Sequence, residues 1–147
     1  MSKQPELILE EQLIAKLLTL GYALAHIQNE SELIANLKIQ LEKHNHITFS
    51  DKEFDKVLNI LSKGSVFEKA KTFREKQHII RDNGDNLYFE FINTEQWCQN
   101  EYQVIHQVSM EGKYKNRYDV TLLINGLPLV HIELKRRGLE LKEAFNQ

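Results

Sequence analysis

Residues 117–137 read RYDVTLLINGLPLVHIELKRR, two apolar strand-like segments joined by a Gly/Pro turn. A hairpin this apolar needs a larger sheet to join and a second layer to cover it. Yet it carries Asp119, Glu133 and Lys135. Charged side chains are rarely buried unless paired or given chemical work.

Strand geometry sorts these residues. Side chains alternate between faces, so Val130, Ile132 and Leu134 share one face, and Leu129, His131, Glu133 and Lys135 the other. Glu133 and Lys135 are then roughly 6.5–7 Å apart on one side of the strand. Asp119 depends on register. A two-residue loop at Gly126-Leu127 pairs position 119 with 134 and turns Asp119 away from Glu133. A three-residue loop, Asn125-Gly126-Leu127, pairs 119 with 133 and puts both carboxylates on one face, with Gly126 free to adopt a left-handed conformation. The expectation is an odd loop length or an equivalent bulge.

The rest of the chain supplies the covering layer. In LILEEQLIAKLLTLGY, Leu9, Leu13 and Leu17 recur four apart with Ile14 and Leu18 beside them, which predicts a helix stopped near Gly21. SELIANLKIQLEKHN repeats the pattern. SDKEFDKVLNIL opens with Ser50 and Glu53 at capping-box spacing. SVFEKAKTFRE adds a short helix. The period then changes, and 86–93 and 101–110 read as strands. GLELKEAFNQ returns to helical character without a stop residue, as expected of a fragment cut within a helix. The predicted class is α/β (α+β mixed): a mixed β-sheet flanked by helices, with a helical N-terminal half.

At 147 residues, a single domain spanning 1–147 is expected. No apolar run is long enough to span a membrane, and the N-terminus has no apolar h-region. One cysteine, Cys98, excludes an internal disulfide and a cysteine-based zinc site. It fits a reducing cytoplasm and is read as a small buried hydrophobe. The net charge of −2 argues against a free-standing electrostatic DNA binder. Residues 1–110 carry 12 Lys/Arg against 16 Asp/Glu, and residues 111–147 carry 7 against 5, so the hairpin end is the better one to meet an anion.

Two converging carboxylates repel unless a cation reconciles them. A few carboxylate oxygens completed by water and phosphate suit Mg²⁺. Such an ion polarises a phosphodiester and activates water, and Lys135 could orient that water or steady developing charge. Glu-x-Lys alone says little, since Glu111/Lys113 and Glu140/Lys142 repeat it. Only the middle copy sits on an apolar strand opposite an Asp. The competing reading is an edge hairpin with a solvated polar face. His131, on the face of Glu133, either touches DNA or metal or is a partly buried, hydrogen-bonded histidine.

These residues also carry a family resemblance. NRYDVTLLINGLPLVHIELKRRG with LKEAFNQ resembles the N-terminal nuclease region of the restriction (R) subunit of type I restriction–modification enzymes, within the wider PD-(D/E)xK nuclease superfamily. The matching elements are the Arg-Tyr-Asp strand, the Asn-Gly-x-Pro turn and the Glu-Leu-Lys strand end. Gln147 stands where the family's Gln-x-x-x-Tyr element begins. Tyr118 replaces the proline of the superfamily motif.

The resemblance implies a restriction-endonuclease-like core and Mg²⁺-dependent cleavage of double-stranded DNA. Asp119 and Glu133 would be the metal ligands, Lys135 the catalytic lysine and Gln147 an auxiliary catalytic residue. The family's opening helix often places a Glu near the site, and Glu10 or Glu11 is the candidate; the competing role is an exposed helix-face carboxylate. Lys113, Lys115, Arg117, Arg136 and Arg137 flank the hairpin ends as candidate DNA phosphate contacts. An ATP-driven motor would follow this domain, since the chain has no phosphate-binding loop of its own. Partners would be the methylation and specificity subunits, in the cytoplasm. The isolated fragment is expected to cut weakly or not at all. The rivals are a stand-alone nuclease of the same superfamily and a non-cleaving docking module.

Overall fold

The computed structural model describes residues 5–106 and 119–133. In chain order the elements are α1 (Pro5–Thr19), β1 (Ala23–Leu24), α2 (Glu30–Asn45), α3 (Asp51–Ser62), α4 (Val66–Arg74), β2 (Gln77–Ile80), β3 (Asn86–Phe89), β4 (Tyr102–His106), β5 (Asp119–Ile124) and β6 (Leu127–Glu133). A short 3₁₀ turn, Trp97–Gln99, precedes β4. The class is α/β, as predicted.

Local chemistry sets the helix ends. Asn29 accepts a hydrogen bond from the Glu32 N–H and starts α2, and Ser65 does the same for α4 from Glu68. The predicted capping box forms in full at α3: Ser50 accepts from the Glu53 N–H, and the Glu53 carboxylate accepts from the Ser50 N–H at 2.8 Å.

The main sheet has the order β1-β4-β5-β6, with β1 parallel to β4 and the other pairs antiparallel. Leu13, Ile14 and Leu17 of α1 pack on one face, over Val104, Val120, Leu122 and Ile132. Ile27 and Leu33 cover Ile105 and Leu123 on the other. A second, larger core joins Leu37 and Leu41 of α2, Phe54 and Val57 of α3, and Ile79, Phe89 and Phe91 around β2–β3.

Several expectations need correction. The strand read at 86–93 covers only Asn86–Phe89, and it pairs with the unforeseen β2 in a separate hairpin, not with the main sheet. The apolar hairpin, read as a central element of the sheet from its composition, is central only in part: β5 is interior, but β6 is the outermost strand of the described sheet, with Leu129 and Val130 37% and 45% exposed. Cys98 is exposed, because it sits in the 3₁₀ turn on the surface. No described helix is long and apolar enough to cross a membrane.

Candidate functional site

The geometry of the site begins at the hairpin turn. Ile124 pairs with Leu127, so the turn has two residues, Asn125 and Gly126, and not three. Both have positive φ, +50° and +84°, the pairing that a tight hairpin turn of matching twist requires. Asn125 is fully buried. Its side chain donates to the Phe91 carbonyl at 2.7 Å and to Asn100 Oδ1 at 3.0 Å, and accepts from the Glu101 N–H at 2.8 Å. The turn is thereby tied to the segments before β4.

A regular ladder from this turn would set Ile132 opposite Asp119. It does not, because Leu123 pairs with Pro128 while Leu122 pairs with Val130. Leu129 is an extra residue, a β-bulge. Beyond it Thr121 pairs with His131, Val120 with Ile132 and Asp119 with Glu133. Directly opposed residues lie on one face of an antiparallel pair, with Cβ atoms about 4.5–5.5 Å apart. The register expected from the sequence therefore forms through a bulge and a two-residue turn.

On the next rung, Thr121 Oγ1 and His131 Nδ1 form a hydrogen bond of 3.1 Å. His131 is exposed, not partly buried. Glu133 is exposed as well, at the end of β6. Among the described residues, no three His, Cys, Asp or Glu side chains are arranged to hold a metal ion. Asp119 and Glu133 offer oxygen donors of like charge on facing strands, a donor type that fits a hard divalent cation completed by water or phosphate.

The two helical candidates separate. Glu11 is exposed. Glu10 is 2% exposed, and its Oε1 lies 3.0 Å from Nδ1 of His106 at the end of β4. Glu10 is buried because it stands at helical spacing with Leu13, Ile14 and Leu17, the stripe that faces the sheet. By alternation, His106 lies with Val104 and Val120 on the α1 side, whereas Glu133 lies on the opposite face. Lys135, Gln147, Lys113, Lys115, Arg117, Arg136 and Arg137 lie outside the described residues.

His106 was not singled out in the sequence. The signal was available: a histidine closing the strand YQVIH, and a glutamate on the apolar stripe of the first helix.

Comparison with known proteins gives the family to which this α/β chain belongs. The model of the type I restriction enzyme R protein N terminus matches residues 3–147, and the chain belongs to that family. It is 44% identical, over 98% of its length, to a type I restriction enzyme endonuclease subunit of Staphylococcus saprophyticus. It is also 44% identical to one of Staphylococcus aureus, over its whole length. It spans 16% of each of those two relatives. Identity to the EcoprrI endonuclease subunit of Escherichia coli is 38%, over 99% of this chain and 49% of that protein.

Proposed function

We propose that this N-terminal R-subunit domain hydrolyses DNA phosphodiester bonds with Mg²⁺. The observation that carries the reading is the bulged register that sets Asp119 opposite Glu133. The relatives' description as endonuclease subunits supports it.

Asp119 and Glu133 would hold the ion between β5 and β6. When bound, it supplies Lewis-acid polarisation of the phosphodiester and a lowered pKa for the attacking water. The two carboxylates fix where the phosphate sits. Lys135, two residues after Glu133, places an ammonium to orient the water and offset charge developing on the phosphorus oxygens. Gln147 and the cations Lys113, Lys115, Arg117, Arg136 and Arg137 would steady the DNA backbone. An ATP-dependent motor would lie in the part of the R subunit this chain does not span. The methylation and specificity subunits would choose the DNA, and the complex would work in the cytoplasm.

The test is Glu133→Gln in the complete enzyme. Its neutral amide keeps the shape and loses the charge that holds the ion, so cleavage should fall by about 10²-fold or more. Cleavage at the unaltered rate would contradict the assignment.

A further inference from the structure

The carboxylate positions do not stand alone on their face of the sheet. Val120 and Ile132 pack under α1, so positions 119 and 121 of β5, and 131 and 133 of β6, belong to the opposite face. Register sorts these four into two rungs. Asp119 pairs with Glu133 at the end of the hairpin, and Thr121 pairs with His131 one same-face rung inward. The bulge lies nearer the turn, so both rungs are regular and share that face. Further inward on β5, Leu123 closes the same face in a core with Ile27 and Ile105. The Thr121–His131 rung thus separates the carboxylate rung from the closed core.

Thr121 Oγ1 and His131 Nδ1 are 3.1 Å apart. Thr121 belongs to the interior strand β5, with the buried Ile105 of β4 opposite it on the other side. It is therefore the fixed member of the pair, and the histidine on the outer strand is the one it aims. A ring engaged at Nδ1 directs its Nε2 edge away from Thr121. His131 is exposed, so that edge meets the solvent side, where a substrate on this face would lie. A threonine hydroxyl can donate to Nδ1, and the neutral ring then carries its proton on Nε2 as a donor. His131 and Glu133 are two residues apart on one strand, roughly 6.5–7 Å. Mg²⁺ takes carboxylate and water oxygens in preference to imidazole, so a ring at that distance suits the DNA rather than the ion.

We propose that His131 is a DNA-contacting residue of the nuclease site, whose neutral ring donates from Nε2 to a non-bridging oxygen of the backbone phosphate next to the one hydrolysed, and that Thr121 is its positioning residue. The proposal rests on the hydrolytic reading above. No proton is taken up or released. The ion at the carboxylate pair answers the charge of the reacting phosphate, and His131 adds direction rather than charge. Holding the neighbouring phosphate fixes the path of the strand, which sets the scissile bond at the Asp119–Glu133 rung.

The experiment uses the complete enzyme, assembled with the methylation and specificity subunits proposed for it. In the first arm Ca²⁺, which takes the same oxygen donors, replaces Mg²⁺. Duplex DNA is added, and histidine acylation by diethyl pyrocarbonate is followed by peptide mass spectrometry. DNA should slow labelling of His131 about threefold or more and leave the exposed His46 unchanged. In the second arm, His131→Leu and Thr121→Val should each slow Mg²⁺-dependent cleavage about tenfold, with ATP hydrolysis and melting temperature retained. His131→Gln keeps an N–H donor and Thr121→Ser keeps the hydroxyl, so both should stay within about threefold of the unaltered rate. A pair that only braced the hairpin would move the melting temperature and not this pattern of rescue. Labelling of His131 that DNA leaves unchanged, or equal cleavage by His131→Leu and His131→Gln, overturns the DNA contact. Equal cleavage by Thr121→Val and Thr121→Ser overturns the role of Thr121. Failure of the hydrolytic reading is separately visible, as cleavage that survives Asp119→Ala.

Discussion

Asp119 stands opposite Glu133 because Leu129 is an extra residue in β6. The two-residue turn alone would have offered Ile132 to Asp119 and turned Glu133 to the other face. The bulge is thus the device that sets the two positions opposite each other at a rim of the sheet, a place where bulges are over-represented.

Deletions distinguish the bulge from mere sequence proximity. Deleting Leu129 leaves a regular ladder that still sets Asp119 against Glu133, so the complete enzyme should retain cleavage within about tenfold. Deleting His131 leaves the bulge and brings Leu134 opposite Asp119. That variant should lose cleavage while its far-ultraviolet circular dichroism keeps the α/β signature. Equal activity of the two deletions would contradict the register argument.

The turn should be among the least tolerant surfaces of the fold. Asn125→Ala removes a side chain that serves Phe91, Asn100 and Glu101, and places alanine at φ +50°. The expected loss is about 2–4 kcal/mol, from unsatisfied buried groups and left-handed strain. At Gly126, a Cβ would meet the Leu37 Cα at 2.7 Å. Gly126→Ala should therefore separate the hairpin from α2. Chemical denaturation of each variant measures both.

Acid should loosen the helical half by a traceable route. Glu53 receives Arg81 Nε at 3.0 Å, and that bond, with N–H bonds from Ser50 and Asp82, lowers its carboxyl from 4.5 to about 2. A carboxyl lowered in the folded state stabilises above its unfolded pKa and loses that contribution as pH falls toward the folded one. Melting temperature should drop from about pH 4.5 down to about 2, and Glu53→Gln should flatten that dependence. A drop of equal steepness in the variant would assign it to other groups. Separately, Ser50→Ala should cost about 1 kcal/mol through the lost cap.

Much of this was legible where a local signal decides the structure. The capping box at Ser50 and Glu53, the apolar stripe of α1 and the stop near Gly21 each rest on a few neighbouring residues. The strand pairings were harder, because partner choice is a long-range matter. β2 is a four-residue strand, and it draws 86–89 away from the main sheet into the core of α2 and α3. The bulge at Leu129 was anticipated only as an alternative to a longer loop, since one extra residue leaves no compositional mark. Glu10 illustrates a signal present but outweighed: its spacing from Leu13 and Leu17 places it inward, against the general rule that a helix glutamate is solvated. The assignments to Lys135, Gln147 and the flanking cations rest on sequence, as those residues lie outside the described ones.

The most direct measurement is DNA cleavage set against ATP hydrolysis for Asp119→Ala in the complete enzyme, assembled with the methylation and specificity subunits proposed for it. Loss of Mg²⁺-dependent double-strand cleavage, with ATP hydrolysis retained, is the expected result. Undiminished cleavage would show that the Asp119–Glu133 pair does not hold the reacting phosphate, and would contradict the account at its centre.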